Sequence, residues 1–125
     1  MVAMVGLMGR MLNFDLETEA EGNSALVRIR GDLDLQVVER VTEALTQIES
    51  DELELLVIDL SRVSFMDSSG MGAIAAAHIR AGEAGRRFAI VRPPAGVRQA
   101  FDRTRLDEVI TITDDLASIY PQAGP

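Results

Sequence analysis

The fold this sequence predicts is α/β: a small mixed, mostly parallel β-sheet packed with about four α-helices. Three observations carry that expectation. Leu55-Leu56-Val57-Ile58-Asp59-Leu60 is a short, nearly unbroken apolar run, the pattern of a strand covered on both faces. Met71-Gly72-Ala73-Ile74-Ala75-Ala76-Ala77-His78-Ile79 is Ala-rich and free of proline, with apolar residues at 71, 74, 75 and 79 forming one helical face. Segments of these two kinds then alternate along the chain. Strands alternating with helices imply parallel pairing through crossover connections. The order read is β-β-α-β-α-β-α-β-α, one domain over residues 12–120, with residues 1–11 and 121–125 expected to be flexible termini.

Residues 14–21 alternate weakly and turn acidic, an edge strand running into a turn at Gly22-Asn23. Residues 25–30 alternate clearly, with Val27 and Ile29 apolar and Arg28 and Arg30 polar, and complete a hairpin with the first strand. Gly31-Asp32-Leu33-Asp34 ends that strand, and its two carboxylates are placed to cap the next helix. From 35 to 48 the apolar positions 35, 37, 38, 41, 44, 45 and 48 keep a helical period. The central strand follows at 53–60, then a loop over 61–66 leading to Asp67-Ser68-Ser69-Gly70. Ser68 is placed to be the N-cap of a helix running from Ser69 to about Glu83, which Gly82 or Gly85 stops. Residues 87–91 form another short apolar strand, and Pro94 opens a helix through Phe101 with Val97, Ala100 and Phe101 inward. Residues 109–112 are β-branched and read as the last strand. Asp114 or Asp115 then caps a terminal helix over 116–120.

Composition narrows the function. The chain has no cysteine, so it holds neither a disulfide nor a thiolate site. Its net charge of −8 argues against a nucleic-acid surface and against docking to anionic lipid. No apolar run approaches the roughly 18 to 20 residues that cross a membrane, and a cytoplasmic protein is expected. All 12 basic residues are arginine.

The chemistry narrows it further. An exposed serine at a strand–helix turn resembles a hydrolase nucleophile, but Met66-Asp67-Ser68-Ser69-Gly70 lacks the glycine two residues before the serine. The single histidine, His78, lies ten residues along the same predicted helix, about 15 Å away at 1.5 Å per residue. Without lysine, a Ser-Lys dyad and a phosphate-gripping Gly-Lys loop are both excluded. Gly70 and Gly72 read as close helix packing, and Asp32 with Asp34 as a capping pair before a metal pair. No catalytic residue, metal or cofactor is expected. Ser68 remains, either as a plain cap or as an acceptor of phosphate at a helix N-terminus, where the dipole tolerates the added charge. Chemistry leaves both open.

The run Val57-Ile58-Asp59-Leu60 through Phe65-Met66-Asp67-Ser68-Ser69-Gly70-Met71-Gly72 resembles the signature of bacterial anti-sigma factor antagonists, the stand-alone STAS domains. Gly31-Asp32-Leu33-Asp34 resembles the family's Gly-Glu-Leu-Asp segment, with Asp32 standing where Glu is common. Val97-Arg98-Gln99-Ala100-Phe101-Asp102 and Leu106 resemble its third helix and the turn after it. The resemblance implies partner switching: an antagonist binds an anti-sigma factor that is itself an ATP-using serine kinase, frees a sigma factor, is phosphorylated, and is reset by a phosphatase. By the same resemblance the phosphorylated residue is Ser68, with Ser69 as second choice. The partner-binding surface is then formed by Asp32, Asp34, Asp67, Ser68, Ser69, Gly70 and Met71. A monomer is expected. The rival readings are a STAS interaction domain of another assembly, such as a stress-signalling scaffold or a lipid-transport accessory, and a small-molecule or nucleotide-binding module.

Overall fold

The polypeptide pairs its first two strands through Gly22-Asn23, with Gly22 at a φ of +59° that an L side chain rarely adopts. In the computed structural model, which describes residues 13–120, β1 (Phe14–Glu21) and β2 (Ser24–Leu33) form this antiparallel hairpin. The expectations for 1–11, Leu12 and 121–125 lie outside the described residues. Then come α1 (Val38–Ile48), β3 (Leu55–Met66), α2 (Ser68–Ala84), β4 (Arg87–Val91), α3 (Ala95–Thr104) and β5 (Thr111–Thr113). Single 3₁₀ turns occupy Leu106–Glu108 and Leu116–Ser118.

The strands lie side by side in the order β1-β2-β3-β4-β5, and every pair after the hairpin is parallel. Each crossover is expected to be right-handed, and the strands advance in one direction, so the three helices share one face. Val41 and Leu45 of α1, Ile74 and Ala77 of α2, and Val97 and Phe101 of α3 bury there against Val27, Ile29, Leu56 and Ile58. The alternate residues Leu26, Leu55, Val57 and Val91 face the other side, where Tyr120 covers them. The central strand is thus covered on both faces, as its unbroken apolar run required.

Five differences from the sequence reading matter most. Residues 61–66 are strand rather than loop: β3 continues to Met66, pairing Val63 with Gly31 and Met66 with Leu33. Register shifts between Arg28 and Arg30 and between Gly31 and Asp32 break the period of two. Buried Val63 and Met66 are therefore three apart, which hides the strand in the sequence. Gly31, at φ +87°, permits this; a Cβ there would meet the Asn13 carbonyl oxygen at 2.1 Å. α1 begins at Val38 and leaves Leu35 71% exposed. On α2 the inward stripe is Gly70, Met71, Ile74, Ala77 and Ala81, whereas Ile79 is 59% exposed. The last strand starts at Thr111, with Val109 outside it. The terminal helix is a single 3₁₀ turn, so the described residues hold three α-helices rather than about four; 116–120 is too short for α-helical bonding to propagate.

Candidate functional site

The carboxyl ends of β2 and β3 deliver two chain turns to one edge of the sheet, and Asp67 ties them together. It is extended, with φ −101° and ψ −174°, so it ends β3 and starts α2. Its Oδ1 accepts the Gly70 N–H at 3.1 Å, and its Oδ2 accepts the Leu35 N–H at 3.2 Å. Its own N–H donates to the Leu33 carbonyl at 3.3 Å. Asp67, not Ser68, is therefore the N-cap of α2. The carboxylate offers a separate acceptor oxygen to each turn, where a serine has only one.

Ser68 becomes the first residue of the helix. It is exposed, and its hydroxyl makes no hydrogen bond among the described residues. Gly70 sits on the opposite side of the same turn. A Cβ there would lie 2.4 Å from the Leu33 carbonyl oxygen and 2.7 Å from Leu33 Cγ, so the helix start approaches β2 as only glycine allows. Gly72, grouped with it from the sequence, faces open space instead: a Cβ added there would have nothing within 4 Å.

The acidic residues around this point are fixed by separate bonds. Asp34 Oδ1 accepts the Gln36 N–H at 3.0 Å, a local turn. Asp32 Oδ1 accepts the Ser64 hydroxyl at 3.1 Å and links β2 to β3. Neither caps α1, whose N-cap Val37 has no side-chain bond. The capping role read from the sequence is corrected: both side chains are engaged before the helix begins. Leu35 and Phe65, 71% and 52% exposed, add apolar surface next to Asp34 and Met66.

A cleft of about 530 Å³ opens beside Ser68, between the start of α2 and the end of α3, with Met66, Met71, Ala100, Arg103 and Leu106 in its walls. Ser69 is half-buried on the helix start, and Met71 is buried at 7% exposure while still reaching the cleft. The structure therefore brings Asp67, Ser68 and Met71 into one cleft and leaves Asp32 at the end of β2 and Asp34 on the turn that follows it. The α3 side of the cleft, Arg103 and Thr104 above all, was missed in the sequence. Ala100 was read there only as an inward residue.

Ser68 and His78 lie on one unbroken helix, about 15 Å apart at the α-helical rise. His78 stacks at a tilt on Phe88, ring centroids 5.7 Å apart, and so faces the sheet rather than Ser68. Among the described residues no group of three His, Cys, Asp or Glu side chains could hold a metal ion. No described helix is long and apolar enough to cross a membrane.

Residues 15–119 match the STAS domain family, and the chain belongs to it. An anti-sigma-B factor antagonist of Staphylococcus aureus is 33% identical over 61 residues, 49% of this chain and 56% of that protein, so the likeness spans little more than half the relative's length. An anti-sigma factor antagonist from Mycobacterium paratuberculosis superimposes with a TM-score of 0.76 at 23% identity, over 88% of this chain and 93% of that one. The antagonist SpoIIAA in its unphosphorylated form gives 0.71 at 23% identity over 90% and 97%. Its phosphorylated form from Bacillus gives 0.66 at 23% over 87% and 98%. These structures share the fold.

Proposed function

We propose that this protein is an anti-sigma factor antagonist, a regulatory module rather than an enzyme, switched by phosphorylation of Ser68. The observation that carries the reading is the free Ser68 hydroxyl at the start of α2, exposed beside Asp67 and released from capping duty by it. In the unphosphorylated form the face around Ser68, with Asp34, Asp67 and the apolar Leu35 and Phe65, engages an anti-sigma factor that is itself a serine kinase. That kinase transfers the γ-phosphoryl group of its ATP to Ser68 Oγ. The added charge of about −1.5 to −2 beside Asp67 weakens the complex, and a phosphatase hydrolyses the ester. ATP belongs to the partner.

The relatives named as antagonists, and one fold neighbour known in both phosphorylated and unphosphorylated forms, support this reading. Phosphosite mapping of the protein recovered from its own cells, in growth and under stress, tests it. Phosphate on Ser68 with changing occupancy is expected. In binding assays with the anti-sigma factor, Ser68→Asp is expected to fold and bind weakly, and Ser68→Ala to bind and resist inactivation. A Ser68 that stays bare in every condition would overturn the switch and leave the family assignment standing.

A further inference from the structure

We propose that Arg103 is an internal receptor for a phosphate on Ser68, forming an ion pair across the cleft between α2 and α3. The inference rests on the reading of Ser68 as a phosphate acceptor and adds to it where the phosphate goes. Ser68 and Arg103 line one cleft from its two walls, and Arg103 is the only basic residue in that lining among the described residues. The ion pairs among the described residues use Arg28, Arg30, Arg80 and Arg92; Arg103 joins none of them. It is exposed in the last turn of α3, so its guanidinium needs no rearranged partner to turn inward.

The charged groups around Ser68 decide the balance. Asp67 lies on its own junction and Asp34 on the turn from β2 that Asp67 holds; both repel a phosphate. From α3 comes Arg103, while the Thr104 hydroxyl is committed to the Phe101 carbonyl at 2.9 Å. The attractive groups are therefore Arg103 and the N–H groups of Ser68 and Ser69, which have no partner among the described residues. A guanidinium presents parallel donors that match phosphate oxygens in pairs. The walls beneath, Met66, Met71 and Leu106, are apolar and lower the local dielectric, which strengthens the pair. Drawn to the phosphate, Arg103 covers the cleft mouth, so the modified face differs in shape as well as in charge.

The test uses the full chain with phosphoserine installed at position 68 during translation, so no kinase is needed. The second phosphate ionisation is followed by phosphorus NMR in the parent, Arg103→Gln and Arg103→Lys. It is expected about 0.5 to 1 pH unit lower in the parent than in Arg103→Gln, with Arg103→Lys in between. The Arg103 Nε–H resonance of the parent is expected to move with the phosphate titration. Superimposable phosphate titrations in the parent and Arg103→Gln overturn the pair. An Arg103 resonance indifferent to the phosphate does so without any substitution. Either failure leaves phosphorylation of Ser68 untouched, and a bare Ser68 in cells leaves this titration unaffected.

Discussion

Replacing Gly70 by alanine tests how the start of α2, with Ser68 on it, is held. The new Cβ would lie 2.4 Å from the Leu33 carbonyl oxygen, 2.7 Å from Leu33 Cγ and 3.0 Å from Met66 Cγ. The first of these is backbone at the end of β2, paired with Met66 of β3, and cannot swing away. The start of α2 must therefore back off by roughly 1 Å to regain ordinary contact. Overpacking of this kind costs about 1–3 kcal/mol. The same displacement loosens the Gly70 N–H bond to Asp67, a cap worth up to about 1 kcal/mol. Alanine's helix propensity returns about 1 kcal/mol. The net expectation is a loss of up to about 3 kcal/mol. Gly72→Ala is the internal control, because nothing lies within 4 Å of its Cβ. That variant should gain about 0.5–1 kcal/mol from propensity alone. Urea unfolding of the two variants beside the parent, with equal slopes, reads the difference directly; melting temperatures should move by about 4 °C per kcal/mol. Two alanine variants of equal stability would refute the close approach of α2 to β2.

Asp67→Ala removes the acceptor for both Gly70 and Leu35 and should cost about 1–2 kcal/mol, with faster hydrogen exchange at those two amides; unchanged exchange at Leu35 would show that the two turns are not tied. Arg80 donates to Glu49 through Nε and Nη2 at 2.7 and 2.9 Å, a hydrogen bond that raises its own pKa and joins α2 to the end of α1. The Glu49 side chain is only 8% exposed, so Arg80→Met should cost about 1–3 kcal/mol by stranding the carboxylate, and adding Glu49→Gln should recover part of the loss in a double-mutant cycle. Burial raises the Tyr120 pKa above 10.0, helped by Glu19 and Glu21 and opposed by Arg28, and its hydroxyl has no partner among the described residues. The folded chain holds that proton more tightly than the unfolded one, so the contribution is complete below about pH 10 and is lost as pH rises through the shifted value. Tyr120→Phe should flatten that alkaline loss in urea midpoints taken from about pH 7 to 11, and parallel curves would count against it.

The sheet and its crossovers were legible because burial on both faces leaves unbroken apolar runs such as 55–60, and helices on one face leave periodic ones. What escaped was set by tertiary bonds that local pattern does not encode. Leu35 fits the helical period of α1, yet its N–H is taken by Asp67 from 32 residues away, and the helix waits until Val38. The end of β3 was hidden by bulges opposite Gly31. At the site, Asp67, Ser68 and Ser69 all favour N-caps, and local preference does not rank them; the pull of Leu35 from the neighbouring turn selects Asp67. Arg103 was invisible for a plainer reason. Nothing in the linear chain says that the end of α3 faces the start of α2.

That Asp67 and not Ser68 carries the capping bonds bears on how long the protein lasts in a cell. A group esterified to Ser68 breaks no bond that holds α2 to β2, so modification there should not enlarge the small population of opened chains that proteases attack. If Ser68 is the switch proposed above, signal and lifetime rest on different side chains. On the proposed reading the protein would be written on and erased many times without being lost faster for it.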